Sequence, residues 1–416
     1  GPTAQREAAA RAFSPALALG VLSAREVLHA ARRASDVPLS AADAPLWGRA
    51  SAGALADVAE WREWFELLAR RSLERQAQGL PTGLGAAGGD ERATPTMGYW
   101  RWGGTHLTRH AHWEAGEAYE GEAGLLLVHG FAASCEQWER LVYALRQQAS
   151  PEELPPVWAV DMLGFGHTEK PGLSYTQHLW EAQVADFALE VMGGRPVVIG
   201  GNSIGGGIAA GVAANLRALC RGVVLCNSAG TLNEPDEYTP PPSAAQSVRG
   251  QTLRAERGPL PPYRPVPLVG QRGLELFGSL VIRAIFPSIP QRLAQIYADR
   301  PENACAKLEF AISQGAASPG AANVIGSGQK LPPQRPLNEV LSAPYGFGGP
   351  LLVPQGRNDR VSGPARAVDR AQTLTRLRDG VTVELIDGGH CVQDDAPEVV
   401  AESLLRWLPS TREPRP

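Results

Sequence analysis

The spacing of apolar positions changes character twice along this chain. Over residues 1 to 80 apolar side chains recur at three- and four-residue intervals, through Val21, Val27 and Leu28 and again through Trp61, Trp64, Phe65 and Leu68, which predicts a helical region. The glycine-rich stretch 81 to 97 breaks that period and reads as a flexible linker. Beyond it the period shortens to two. Tyr99 to Trp102 and Leu107 to Trp113 alternate as antiparallel strands at a sheet edge do, whereas Leu125-Leu126-Leu127-Val128 is unbroken apolar sequence, the mark of a parallel strand buried on both faces.

From there strands and helices take turns. Strands are predicted at 157 to 160, 197 to 200, 223 to 226, 351 to 354 and 381 to 386, with helices at 135 to 148, 176 to 192, 203 to 217, 363 to 377 and 397 to 407. The pattern predicts an α/β fold, a mostly parallel sheet with helices on both faces, spanning 98 to 409 and ending in a short tail, 410 to 416. One stretch breaks the alternation. Residues 231 to 347 are proline-rich at 239 to 267, carry short helical patterns (Leu274 to Phe286, Gln291 to Tyr297, Lys307 to Ile312) and lack a clear strand, as an inserted lid over a site would.

Composition narrows the function classes. With 44% hydrophobic and 20% charged residues the chain has a globular composition, and a formal net charge of -4 without a basic run argues against a nucleic-acid partner. The five cysteines (Cys135, Cys220, Cys226, Cys305, Cys391) are odd in number and form no C-x-x-C pair, so neither a disulfide framework nor a metal site is expected. No apolar run reads as a membrane span, and a membrane is expected to be met only at the surface.

The candidate chemistry gathers at one turn. Gly201-Asn202-Ser203-Ile204-Gly205 follows an apolar β-branched run and precedes a small-residue helix, the G-x-S-x-G pattern of a strained strand-to-helix turn that exposes a serine. Ser203 is the candidate nucleophile. Acyl transfer also needs two backbone N–H donors for the oxyanion, here assigned to Phe131, in the loop His129-Gly130-Phe131 after the first parallel strand, and to Ile204. His129 and His167 read as loop-stabilising residues. The acid and base should follow in the order Ser, acid, His, which selects Asp359 and His390; Asp387, three residues from His390, is poorly placed to align Nδ1. Cys391 reads as packing, and a serine at 203 argues against epoxide-hydrolase and dehalogenase chemistry, whose nucleophile is a carboxylate.

Taken together, residues 98 to 409 resemble the α/β-hydrolase family. Asp161 to Pro171 (DMLGFGHTEKP), Gly201 to Gly206 (GNSIGG), Cys220 to Gly230 (CRGVVLCNSAG) and Gly389 to Glu398 (GHCVQDDAPE) are similar to its plant and algal chlorophyll dephytylase and pheophytinase-like group. That resemblance implies a chloroplast serine esterase acting on a bulky hydrophobic ester, such as the phytyl ester of chlorophyll or pheophytin. The segment Gly356-Arg357-Asn358-Asp359-Arg360 departs from the group, which usually has Asp-Pro followed by Trp or a similar residue. Phe13 to Ser23 and Trp61 to Phe65 resemble the start of the photolyase and cryptochrome flavin-binding domain, but Ala10 and Arg11 stand where that family has its phosphate-contacting Thr-Ser. No bound FAD or other cofactor is therefore expected. Two other readings stay open: a carbon-carbon bond hydrolase of the meta-cleavage type, which carries a similar Gly-Asn-Ser-x-Gly-Gly turn, and a non-catalytic ligand-binding or scaffold protein. The expected partner is a hydrophobic small-molecule ester. Membrane contact would run through the insertion, although no segment there reads as a clear amphipathic anchor.

Overall fold

A computed structural model describes residues 94–239, 270–297, 299–328, 335–342 and 346–411. The helical and flavin-domain readings of 1 to 80, and most of the linker, lie outside the described residues.

Eight strands form one sheet: β1 (Thr96–Trp102), β2 (His106–Trp113), β3 (Gly124–Val128), β4 (Val157–Val160), β5 (Val197–Asn202), β6 (Cys220–Cys226), β7 (Leu351–Gly356) and β8 (Val381–Ile386). Their order is β1-β2-β4-β3-β5-β6-β7-β8. The β1–β2 and β2–β4 pairs are antiparallel, and every other pair is parallel. The edge pair and the parallel interior both match the two hydrophobic periods in the sequence.

The pleat of β3 shows why its run is unbroken. Leu126 and Val128 enter one apolar layer and Leu125 and Leu127 the other, so both faces of the strand are in core. Helices α1 (Glu139–Gln148), α2 (Gln177–Glu190) and α3 (Ile204–Asn215) divide between the layers: Leu141 and Leu145 of α1 join one, Val184 of α2 and Ile208 and Val212 of α3 the other. The N-terminus of α2 is capped by the Thr176 side chain, which accepts from Leu179 N at 3.1 Å.

Between β6 and β7 lies the insertion, described as helices α4 (Gln271–Ile285), α5 (Ile289–Ile296), α6 (Ala306–Ala317), α7 (Ala321–Gly328) and α8 (Leu337–Val340). Helix α7 is absent from the sequence-based expectation because Ala-Ala-Asn-Val-Ile-Gly-Ser-Gly has the low helix propensity of a turn. Packing decides otherwise. A Cβ on Gly278 of α4 would sit 2.1 Å from Ala322 O, and one on Gly326 would sit 2.3 Å from Leu274 O, so α4 and α7 approach as closely as backbone allows.

Two anchors hold the insertion. On one side Asn323 Nδ2 donates to Lys170 O at 3.3 Å and Ser327 Oγ accepts from Tyr175 N at 2.8 Å. On the other, Ile296 O accepts from His390 N at 2.9 Å, and the Tyr297 hydroxyl donates to Asp394 Oδ2 at 2.5 Å. The insertion thus spans from the loop after β4 to the loop after β8. Helices α9 (Pro364–Leu377), α10 (Val392–Asp395) and α11 (Pro397–Trp407) complete the chain, with Val400 and Leu404 of α11 in the same layer as α1.

Candidate functional site

Parallel strands deliver their carboxyl ends to one edge of the sheet, and the order β4-β3-β5 reverses the chain's progress at β3, the kind of switch point at which open α/β sheets bind ligands. The loops after β3, β5, β6, β7 and β8 carry His129 to Phe131, Ser203, Asn227, Asp359 and His390 respectively. The three described non-glycine residues with positive φ are Ala132 (60°), Ser203 (54°) and Asn227 (42°), and all three follow those strand ends. Such conformations cost about 1–3 kcal/mol each and persist where the surroundings over-determine them.

Ser203 makes the turn from β5 into α3 in a single residue, with φ 54° and ψ -123°. Its tightness explains the glycine two residues on. A Cβ on Gly205 would lie 2.2 Å from Val128 O, inside the end of β3. The same closeness brings the β3 loop against the serine, since a Cβ on Gly130 would lie 3.4 Å from Ser203 Cβ. Phe131 follows Gly130 in that loop and Ile204 follows Ser203, and among the described residues neither backbone N–H donates to a partner. Ile204 is the first residue of α3, whose amides have no intrahelical acceptor and sit at the positive end of the helix.

His390 and Asp359 meet directly: Nδ1 lies 2.9 Å from Asp359 Oδ2. The carboxylate is fully engaged. Its Oδ1 accepts from Val361 N (2.8 Å) and Ser362 N (3.2 Å), and Oδ2 also accepts from Ser362 Oγ (2.7 Å) and Asn227 Nδ2 (3.0 Å). Burial pushes the Asp359 pKa up, but the bonds from His390, Asn227 and Ser362 outweigh it and hold the group well below the usual carboxylate range. Asp359 thus faces Nδ1 as a group whose charged form its partners favour. Nε2 is the imidazole nitrogen that makes no hydrogen bond among the described residues.

The serine loop and the histidine loop are tied through the backbone. Asn202 Nδ2, from the residue beside Ser203, donates to His390 O at 3.0 Å and to Cys226 O at 3.0 Å. Gln137, buried between η-turn residues 135–138 and the sheet, joins a third loop to these two. Its Oε1 accepts from Gly130 N at 2.9 Å, and its Nε2 donates to Asn202 Oδ1 at 3.1 Å and contacts Cys391 Sγ at 3.3 Å. Cys391 is consequently part of a polar knot as well as of the packing, with burial pushing its thiol well above the ordinary range.

The other candidates fall outside this cluster. His129 is fully buried, with Nδ1 2.7 Å from Gly130 O and Nε2 accepting from Met162 N at 3.0 Å, so both nitrogens are spent on loops. His167 is exposed on the loop after β4, its N–H donating to Asp161 Oδ2 at 2.9 Å. Asp387 points to solvent and pairs with Arg357 at 3.0 Å. Gln137, Asn202 and Asn227 are the residues that sequence reasoning missed. Asn202 and Asn227 left a signal, the first inside the serine turn itself and the second directly after β6, the strand beside the one that delivers Asp359; Gln137 left none.

A family model described as "Alpha/beta hydrolase family" matches residues 125–403. It begins beyond the photolyase-like stretch and lends that reading no support. Over 124 residues the chain is 35% identical to a 2-hydroxy-6-oxo-6-(2'-aminophenyl)hexa-2,4-dienoic acid hydrolase of Metapseudomonas resinovorans, covering 29% of this chain and 40% of that one. Over 268 residues it is 29% identical to a chloroplastic pheophytinase of Arabidopsis thaliana, covering 63% and 50%. The chain thus spans half or less of the length of these curated relatives. Among solved structures it is similar to a bacterial membrane phospholipase A (TM-score 0.55, 24% identity, 86% of this chain and 97% of that one) and to an epoxide hydrolase (0.52, 16%, 76% and 100%). At these identities the likeness is one of fold.

Proposed function

The chain belongs to the α/β-hydrolase family, and from that premise we propose that it is a serine hydrolase that cleaves a hydrophobic carboxylic ester through an acyl-enzyme. In this reading Ser203 Oγ attacks the ester carbonyl while His390 Nε2 accepts its proton, and Asp359 orients and stabilises the imidazolium. The tetrahedral oxyanion accepts from Phe131 and Ile204 N–H. His390 then returns the proton to the leaving alcohol, and a water deprotonated by the same imidazole releases the acid. The observation that carries the reading is the pairing of His390 Nδ1 with Asp359 in a loop bonded through Asn202 to the strained Ser203 turn.

Substrate class and compartment rest on similarity to the pheophytinase, which supports a phytyl ester of chlorophyll or pheophytin and a chloroplast location. Phe131 supports an apolar substrate too: it is 53% exposed beside the proposed oxyanion site and packed edge-on against Phe165. In the same reading the insertion acts as the lid. A second reading, hydrolysis of a carbon-carbon bond in a vinylogous diketone, is favoured by the 35% identity to the meta-cleavage-type enzyme. Incubating the full chain with pheophytin, chlorophyll, a triacylglycerol and a meta-cleavage diketone, with chromatography of the products, separates the two. Release of phytol or fatty acid with no diketone cleavage is the expected result; diketone cleavage alone would replace the ester reading.

Gln137 gives an independent check. Its side chain sets the loop that carries Phe131 N–H against the Ser203 turn, and displacing a donor by about 1 Å costs on the order of 10²-fold in rate. Gln137→Leu is expected to lower kcat for p-nitrophenyl butyrate by about that factor with a much smaller change in KM. A thermal melt distinguishes this from unfolding, and an unchanged kcat in a folded variant removes the positioning role.

A further inference from the structure

Helix α4 presents its apolar side to solvent. Leu276 and Leu280 are 64% and 58% exposed, Phe277 and Ile285 are also exposed, and four-residue spacing aligns Leu276, Leu280 and the exposed Ala284 in one stripe. The face turned inward is built from small and half-buried residues, Gly278 against Ala322 and Leu274 against Gly326. Arg272 and Arg283 run along the edge of the outward stripe, and neither has an ion-pair partner among the described residues. From Gly270 to Tyr297 every exposed charged residue is an arginine: Arg272, Arg283 and Arg292. This concentration stands out in a chain whose net charge is -4.

The run Gln271–Ile296 is long and apolar enough to cross a membrane, contrary to the expectation that no segment reaches that length. Its far end argues against crossing. Ile289, Leu293 and Tyr297 are buried in a small core with Cys391, so the helical run is fastened to the domain at one end and exposed at the other. An exposed apolar stripe edged with unpaired arginines is the pattern of a helix that lies in a lipid interface, burying leucines among acyl chains and placing guanidinium groups at anionic headgroups.

We propose that the outward face of α4 docks the protein on an anionic lipid surface. This surface also supplies what the insertion lacked in sequence, an amphipathic anchor, because the stripe is visible only when the inward side is known to be Gly278 and Leu274. The inference does not depend on the proposed esterase activity, since binding is read without turnover.

The test is co-sedimentation of the full chain with vesicles of phosphatidylcholine alone or with about a third phosphatidylglycerol, at low and high salt. The wild type is expected to sediment with the anionic vesicles and to be released by salt. Arg272→Gln with Arg283→Gln should weaken that binding by roughly 30-fold, and Leu276→Asp with Leu280→Asp should abolish it. Both variants should leave the thermal melt unchanged. Equal sedimentation of wild type and variants would overturn the proposal. So would a failure of the wild type to bind either vesicle, or a wild-type dimer in analytical ultracentrifugation that the leucine variant turns into monomer, which would assign the face to a second copy of the chain.

Discussion

Ser203→Ala is expected to lower turnover of a p-nitrophenyl ester by about 10⁶-fold while leaving the fold intact, and adding His390→Ala to it should cost almost nothing further. The reason for the second half is that nucleophile and base act as one unit. Without the hydroxyl there is no proton for His390 to take, so the two losses do not add. The backbone supplies a control that a purely structural serine would not. At φ 54° an alanine is as strained as the serine, whereas Ser203→Gly relieves part of a cost of about 1–3 kcal/mol and should melt at a higher temperature than the wild type while being equally inactive. Initial rates and thermal melts on the three variants check the whole pattern. Undiminished turnover in Ser203→Ala would end the serine-hydrolase reading.

Asp161→Ala is expected to destabilise the protein by about 3–5 kcal/mol, the cost of breaking a buried ion pair from one side. Asp161 is completely buried at the end of β4 and accepts from Arg109 Nε at 2.7 Å, Cys135 N at 2.7 Å and His167 N at 2.9 Å. Arg109 also grips Glu136 with both terminal nitrogens, at 2.8 and 2.7 Å. One carboxylate thus joins β2, the loop after β4 and the turn that carries Gln137. Burial would raise the Asp161 pKa, but Arg109 and the hydrogen bonds lower it below the ordinary value of 3.8. A depressed folded pKa contributes stability that is complete above the unfolded value and is lost as pH falls through the folded one. Urea titrations between neutral pH and about pH 3 should therefore show a shallower acid-side loss in the variant than in the wild type. Parallel curves would show that Asp161 is not the group responsible.

The interior of the sheet was legible because strands buried on both faces cannot tolerate polar positions, and the runs at 125 to 128 and 157 to 160 stand at their observed bounds or within one residue of them; the half-buried 381 to 386 was legible from its alternation instead. The elements misread are those where backbone pairing, not side-chain pattern, sets the ends. β6 starts at Cys220, not 223, because residues 220 and 222 pair with Val197 and Val198 across a register shift. Helix α7 was missed because its glycine is favoured only by a neighbour's backbone, and α10 (Val392–Asp395) because one turn is too short to show a period.

The candidates Ser203, Asp359 and His390 were placed in loops after successive strands by their order in the chain, since a parallel sheet must present its loops at one edge. Residue type and spacing determined that much. The meeting of His390 with Asp359, the bond from Asn202 to the histidine loop, the knot at Gln137 and the outward turn of α4 were decided only in three dimensions. Each depends on side chains from elements far apart in sequence, and a one-dimensional period records which face of an element is apolar, never what stands opposite it.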